Sequence, residues 1–192
     1  LLSRGLGDVY KRQEEHLLMN VCSPFSIFAA DGISSGIFSL DKGQMLEFST
    51  CRYISDDHHI ILKGASGNGK TYIACALGTA ACRNFIKVRY VCLPDLLNEL
   101  TVAHGDGTLK KVIKAYQKID LLILDEFLLS PVSTEQTREL LEIIEARSVK
   151  GSVIFCTQFE PKGWYSHIGS DCDATTCEAI IDRIIHKEDF II

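Results

Sequence analysis

The sequence has no long apolar run, no paired cysteines and no excess of positive charge, and each absence excludes a class of protein. No uninterrupted apolar stretch approaches the ~20 residues that span a bilayer, so we expect no membrane partner. The eight cysteines include no C-x-x-C pair, which argues against a cysteine-ligated zinc site and predicts reduced, buried thiols in a cytoplasmic protein. Because the net charge is −5, any contact with nucleic acid must come from a local basic patch.

The beginning of the chain differs in character from the rest. Residues 3–13 resemble the translated adaptor of a sequencing library, so residues 1–13 are predicted to be an artefact and are left out of the fold prediction. Residues 14–39 show no clean hydrophobic period, and we assign them no function. The regular pattern begins near Leu40, and a chain of 192 residues with 46% apolar content is expected to form one domain.

The clearest motif is a glycine-rich loop that matches the pattern G-x-x-x-x-G-K-[ST] at every position. Its residues, all predicted to bind a nucleotide, are Gly64, Ala65, Ser66, Gly67, Asn68, Gly69, Lys70 and Thr71. The glycines allow backbone N–H groups to turn towards phosphate oxygens. Lys70 supplies positive charge for the β- and γ-phosphates, and the Thr71 hydroxyl is a predicted Mg²⁺ ligand. The apolar run at 59–62 predicts a strand before the loop, and residues 72–81 predict a helix whose N-terminus favours phosphate.

A second motif places two carboxylates after four apolar residues, at positions 121–126. The apolar run predicts a strand covered on both faces in a parallel sheet. Carboxylates at its C-terminal end suit a site at the mouth of such a sheet. We therefore expect Asp125 to hold Mg²⁺ and Glu126 to orient the attacking water or accept its proton. The alternative is a polar strand end without catalytic function.

The remaining pattern predicts alternating strands and helices. Strands are expected at 87–92 and 153–158, and a short helix is expected around residues 44–53. A capping box at Ser133–Gln136 opens a helix with Leu140, Leu141 and Ile144 as its buried face. Because buried strands alternate with amphipathic helices, we predict a parallel sheet with helices on both faces.

Three further features leave more than one interpretation open. By position, Gln158 or Thr157 could contact the γ-phosphate or the attacking water, or could simply be a polar strand end. Arg183 lies off the apolar stripe of a helix predicted at 175–187, and in isolation such an arginine is expected to be solvated or salt-bridged. A stripe of lysines either faces solvent or contacts a DNA backbone. Its members are Lys110, Lys114 and Lys118, with Lys111 nearby.

Taken together, residues 40–192 resemble the IstB-like helper ATPases of bacterial insertion sequences, which are relatives of the DnaC-type helicase loaders in the AAA+ class. Besides the two motifs, the stretches that carry the resemblance are 88–97, 104–108, 154–159 and 179–186. The resemblance implies an α/β P-loop NTPase fold of the AAA+ (ASCE) type, with three α-β-α layers and a mostly parallel five-stranded sheet. It also implies that residues 40–192 are an AAA+ core truncated at both ends.

The same resemblance implies a function and a set of roles. It implies a Mg²⁺-dependent ATPase that assembles as a homo-oligomer on double-stranded DNA and recruits or stimulates an IstA-like transposase. Lys70 and Thr71 match the Walker A positions, and Asp125 and Glu126 match Walker B. Gln158 falls at the sensor-1 position, where many relatives carry asparagine, so an amide is kept. Arg183 matches the arginine finger, which would reach the ATP of a neighbouring subunit.

Two departures from the family pattern keep other functions open. The family's N-terminal helical region and its C-terminal lid are not recognisable in this sequence. A DnaC-like replicative helicase loader with the same core is therefore the nearest alternative. A small-molecule kinase would need an arginine-rich lid, which the sequence does not show, and the intact Lys70, Asp125, Glu126 and Arg183 argue against a decayed core.

Overall fold

The computed structural model describes residues 42–168, 174–186 and 188–191, with no side-chain description at 42, 174 and 188–191. The predictions of an artefact at 1–13 and of an unassigned segment at 14–39 concern residues outside these ranges. The six cysteines inside them form no disulfide.

Five parallel strands form one sheet in the order β2-β3-β4-β1-β5. Their bounds are β1 His59–Lys63, β2 Val88–Cys92, β3 Leu121–Asp125, β4 Ser152–Thr157 and β5 Glu188–Ile191. The apolar stretch of β3, Leu121 to Leu124, is fully buried, as expected for a strand that helices cover on both faces. The prediction of a five-stranded parallel sheet is confirmed.

Eight described helices connect or flank these strands. Their bounds are α1 Lys42–Ser49, α2 Arg52–Ser55, α3 Lys70–Arg83, α4 Leu93–Gly105, α5 Leu109–Gln117, α6 Thr134–Val149, α7 Pro161–Trp164 and α8 Ala174–Ile185. The single helix predicted around 44–53 is split in two, because Cys51 adopts a left-handed φ of 60° between α1 and α2. The predicted capping box is present: the Gln136 N–H donates to Ser133 Oγ, and the Ser133 N–H donates to Gln136 Oε1.

Two apolar cores lie on opposite faces of the sheet, so the domain has three layers. Alternate strand residues supply them, because successive side chains of a strand point to opposite faces. On β3, Leu122 and Leu124 pack in the core formed with α4, α5, α6 and α8. Leu121 and Ile123 pack in the core formed with α1, α2 and α3. The three-layer α-β-α prediction is therefore confirmed.

A buried arginine ties the N-terminal ends of two strands to α6. Arg147 is fully buried, and its Nη1 donates to Tyr116 O at 3.1 Å and to Ile119 O at 2.8 Å. Its Nη2 donates to Asp120 O at 3.1 Å and to Ser152 O. Burial lowers the pKa of Arg147 to about 10, so the guanidinium stays charged at neutral pH. These four bonds join α6 to the segment before β3 and to the start of β4.

Candidate nucleotide-binding site

The glycine-rich loop joins the end of β1 to the first turn of α3. Gly67 and Gly69 have φ values of 80° and 76°, in the left-handed region that glycine adopts without a steric cost. The Gly64 N–H donates to Thr157 O at 3.1 Å, which fastens the start of the loop to the end of β4. Lys70 Nζ donates to Gly64 O at 2.7 Å and to Ala65 O at 2.8 Å. The loop is thus folded around its own lysine at a helix N-terminus, where backbone N–H groups favour an anion.

Asp125, the last residue of β3, accepts three hydrogen bonds and is 6% exposed. Its Oδ2 accepts from Thr71 Oγ1 at 2.7 Å and from the Tyr90 hydroxyl at 2.7 Å. Its Oδ1 accepts from the Glu126 N–H at 2.8 Å. The carboxylate is therefore held in one orientation, with the hydroxyl of the glycine-rich loop against it.

A cavity of about 510 Å³ opens where these elements meet. Most of the predicted site residues line it, namely Ser66, Gly67, Gly69, Lys70, Thr71, Asp125, Glu126 and Gln158. Gly64, Ala65 and Asn68 belong to the loop but lie outside the lining. The structure thus brings Thr71, Asp125 and Gln158 to one rim of the sheet.

The two candidates at the end of β4 have different surroundings. Gln158 is exposed and lines the cavity, whereas Thr157 is buried and does not. The Thr157 hydroxyl instead accepts from Trp164 Nε1 at 3.2 Å and from the Phe159 N–H at 3.2 Å. Thr157 therefore anchors the segment that follows β4, and Gln158 is the residue placed to contact a ligand.

Glu126 is held in an unusual backbone conformation. Its φ is 54°, a left-handed value that costs a non-glycine residue on the order of 1–3 kcal/mol. The next residue, Phe127, fixes the chain on the far side, because its N–H donates to Cys156 O at 2.8 Å and its ring packs edge-on against Phe155 and Trp164. The Glu126 side chain is exposed at the cavity. Strain of this kind concentrates at functional sites.

Tyr90, Cys75 and Cys156 lie at the site, although no sequence motif indicates a role for them there. Burial, reinforced by the hydrogen bond to Asp125, raises the pKa of Tyr90, so its hydroxyl remains a donor. Cys75 and Cys156 line the cavity. Burial, with Asp125 adding to it, raises the pKa of Cys75 to about 11 and also raises the pKa of Cys156. Only the strand order, with β2 beside β3, would have pointed to Tyr90.

Arg183 is not among the residues that line the cavity. Its Nη2 lies 2.6 Å from Glu145 Oε1, and its Nη1 donates to Ala179 O at 2.9 Å. The side chain is 32% exposed. Arg183 therefore forms a partly exposed ion pair on the surface of α6 and α8.

The parallel sheet, the phosphate-loop sequence after β1 and the carboxylates at the end of β3 define a P-loop NTPase of the AAA+ class. Solved structures share this fold. The match to DnaI covers 81% of this chain and 86% of the DnaI chain, with a TM-score of 0.68 and 20% identity. The match to AMPPCP-bound DnaA from Aquifex aeolicus covers 81% of this chain and 47% of the DnaA chain, with a TM-score of 0.63 and 18% identity. At these identities the similarity concerns the fold.

The chain belongs to the family of IstB-like ATP binding proteins, whose model matches residues 33–191. It is 37% identical over 135 residues to the insertion-sequence ATP-binding protein y4uH of Sinorhizobium fredii, covering 70% of this chain and 53% of that protein. It is 32% identical over 148 residues to the IS232 ATP-binding protein of Bacillus thuringiensis, covering 77% and 58%. The chain thus spans little more than half the length of these relatives. Among the described helices, none has the length and apolarity that a membrane span requires.

Proposed function

We propose that the protein is an ATP-dependent helper of DNA transposition, which binds and hydrolyses ATP, assembles on double-stranded DNA and recruits or stimulates a partner transposase. The observation that carries the proposal is the 2.7 Å hydrogen bond between Thr71 and Asp125, residues 54 positions apart in sequence. This bond joins the phosphate loop to the end of β3 beside a cavity of nucleotide size. The family, whose relatives are insertion-sequence ATP-binding proteins, supplies the biological setting.

The residues at the cavity fit a Mg²⁺–triphosphate. Thr71 and Asp125 offer a hydroxyl and a carboxylate oxygen, the hard ligands that Mg²⁺ prefers. A bound Mg²⁺ would neutralise charge on the β- and γ-phosphate oxygens. Lys70 and the N–H groups at the start of α3 supply positive electrostatic potential for the same oxygens. Tyr90 holds the Asp125 carboxylate in place from the neighbouring strand.

We assign the water-activating role to Glu126 and a positioning role to Gln158. Both side chains reach the cavity from the ends of adjacent strands, β3 and β4. The exposed Glu126 carboxylate can accept a proton from the attacking water, while the Glu126 N–H donates to Asp125 Oδ1. The Gln158 amide can donate to a phosphate oxygen or to that water.

Arg183 is proposed to act on the ATP of a neighbouring subunit. It lies outside the cavity of its own subunit and is partly exposed, which supports a role in trans. Its contact with Glu145 is a surface ion pair, typically worth less than about 1 kcal/mol, so assembly can break it readily. A guanidinium delivered in this way stabilises charge on the transferred phosphoryl group, and hydrolysis then depends on oligomerisation.

The lysine stripe on α5 is the proposed DNA contact. This helix buries Ile113 and Tyr116 on one side and exposes its lysines on the other. The exposed residues are Lys110, Lys111, Lys114 and the adjoining Lys118. Within the described ranges, no carboxylate forms an ion pair with any of the four. Unneutralised lysines along one face can replace the counterions of DNA phosphates without base contacts.

Three variants, each made in this chain and in the full-length protein, test the nucleotide part of the proposal. Lys70→Ala should lose binding of a fluorescent ATP analogue, and unchanged affinity would refute the loop assignment. Glu126→Gln should bind ATP and stop turnover. Arg183→Ala should bind ATP normally but lower DNA-stimulated hydrolysis by roughly 10³-fold. Turnover per subunit that is independent of both protein concentration and Arg183 would rule out a shared site.

The DNA part is tested by fluorescence anisotropy with a duplex across a salt series. Replacing Lys110 and Lys114 by Gln should weaken binding to all sequences and reduce the salt slope by about 2, since each phosphate contact contributes about 0.9. Lys162→Gln, an exposed lysine on α7, is the matched control. A double variant that binds like the control would place the DNA contact elsewhere. A transposase gene beside the full-length gene would support the helper role, whereas a helicase gene would favour a helicase loader.

A further inference from the structure

Three potential metal ligands converge where the end of α4 meets the first turns of α6, away from the nucleotide cavity. His104 Nδ1 lies 3.0 Å from Glu139 Oε1, and His104 Nε2 lies 3.6 Å from Glu135 Oε1. One ligand atom from each of the three residues lies within 4.8 Å of the others. Glu135 and Glu139 are four residues apart on α6, so their side chains occupy the same face of the helix.

Glu139 is an unusual member of this cluster because it is buried. The residue is only 7% exposed, and its Oε2 has no hydrogen-bond partner although it is shielded from solvent. A buried carboxylate with an unsatisfied oxygen is costly unless a cation compensates it. Its neighbours are accessible, since the side chain of His104 is 55% exposed and that of Glu135 is 72% exposed. A cation could therefore reach the cluster from solvent and meet a fixed carboxylate at its base.

We propose that His104, Glu135 and Glu139 form a binding site for a divalent transition metal of the zinc type. One imidazole nitrogen and two carboxylates are a ligand set that suits Zn²⁺ or Co²⁺, with water completing the coordination. The 3.0 Å separation of His104 Nδ1 and Glu139 Oε1 is compatible with two ligand bonds of about 2.0–2.2 Å to one ion.

The consequence of metal binding would be mechanical. Because His104 is in the last turn of α4 and both glutamates are on α6, a bound ion would join the two helices. The turn that follows His104 leads directly into α5, the helix that carries the lysine stripe. The ion would thus restrain the base of that helix without involving the nucleotide cavity.

The test is a Co²⁺ titration of the reduced, nucleotide-free protein in excess Mg²⁺, followed by visible absorption. We expect one Co²⁺ per chain, with weak d–d bands and without the intense thiolate charge-transfer band that cysteine ligands would give. Zn²⁺ should displace the Co²⁺ and raise Tm. His104→Ala should weaken binding by at least the roughly 10- to 100-fold that loss of an outer-shell partner costs. Glu135→Gln should weaken binding in the same direction.

His186→Ala removes an exposed histidine outside the cluster and is the matched control. His104 and Glu135 are both exposed, so their variants are expected to fold, which circular dichroism checks. A simple ion-pair cluster, in which a protonated His104 bridges the two carboxylates, would show no stoichiometric Co²⁺ binding. That result, or equal binding by wild type, His104→Ala and Glu135→Gln, would overturn the proposal. The readouts are metal binding and Tm, so they stand apart from any outcome of the ATPase experiments.

Discussion

Replacement of Arg147 by Met tests whether the buried guanidinium holds the sheet to α6. Methionine fills similar space with an unbranched apolar chain but removes all four donors to the carbonyls of Tyr116, Ile119, Asp120 and Ser152. Two of these carbonyls keep a backbone donor, since the Ile119 N–H lies 3.5 Å from Tyr116 O and the Ser152 N–H lies 3.0 Å from Asp120 O. The variant should therefore lose part, and not all, of the hydrogen bonding at this junction.

Two opposing effects determine how much Arg147→Met lowers the free energy of unfolding. Each hydrogen bond to a charged group contributes about 1.5–3 kcal/mol, whereas burial of an ion costs several kcal/mol. The Nε–H of Arg147 is also buried without a partner, which adds to the cost of keeping the arginine. A buried carbonyl left without a donor costs about 1–3 kcal/mol, and the two retained donors limit how many carbonyls are left in that state. A loss of about 3 kcal/mol would lower Tm by about 6–12 °C in a domain of this size.

Urea and thermal unfolding at pH 7, where Arg147 is charged, measure the effect. Arg138→Met, an exposed position on the same helix, is the control and should change the free energy of unfolding by less than about 0.5 kcal/mol. Arg147→Lys keeps the charge but not the planar, forked guanidinium, so it should also lose most of the stability that Arg147 contributes. If Arg147→Met unfolds like Arg138→Met, the guanidinium does not hold this junction together.

Three further predictions concern neighbouring features. Gly151→Ala should lower the free energy of unfolding, measured in urea, by about 1–3 kcal/mol, because Gly151 has a φ of 101° and a Cβ there would lie 3.0 Å from Arg147 Nη2. An unchanged free energy of unfolding would mean that the backbone relaxes. Tyr90→Phe removes one donor to Asp125, so half-maximal ATPase activity should need roughly tenfold more Mg²⁺, while Mg²⁺-free nucleotide affinity stays constant. Because the pKa of Cys75 is raised to about 11, its alkylation should be slow at pH 8 and accelerate about tenfold per pH unit up to pH 10. ATP should block the reaction, since Cys75 lines the cavity. Fast alkylation at pH 8 would contradict the burial of Cys75.

Local chemistry explains what the sequence could predict. The glycine-rich loop, the apolar run before Asp125 and the capping box at Ser133 each depend on residues a few positions apart, so their patterns are visible without the fold. The same holds for the strands, whose apolar runs predicted a buried parallel sheet. That Thr71 and Asp125 would lie together followed from the rule that parallel strands present their C-terminal ends at one rim of the sheet.

Contacts between distant segments explain what the sequence did not predict. Tyr90 reaches Asp125 only because β2 lies beside β3, an order that local patterns do not encode. Leu140, Leu141 and Ile144 were the expected buried face of α6, but Leu141 is only partly buried and the charged Arg147 is fully buried. An arginine on an amphipathic helix is normally placed in solvent, so its burial depends on the four carbonyls that the fold brings to it.

The two ends of β3 have separate tasks, and this separation can be measured. Asp125 ends the strand at the nucleotide cavity, whereas Arg147 contacts Ile119 and Asp120, just before the strand begins. Five strand residues at about 3.3 Å each place the two ends of β3 about 16 Å apart. Arg147→Met should therefore lower Tm while leaving the affinity for an ATP analogue unchanged at temperatures where the variant is folded. A parallel fall in affinity would show that the cavity depends on how the opposite end of the sheet is held.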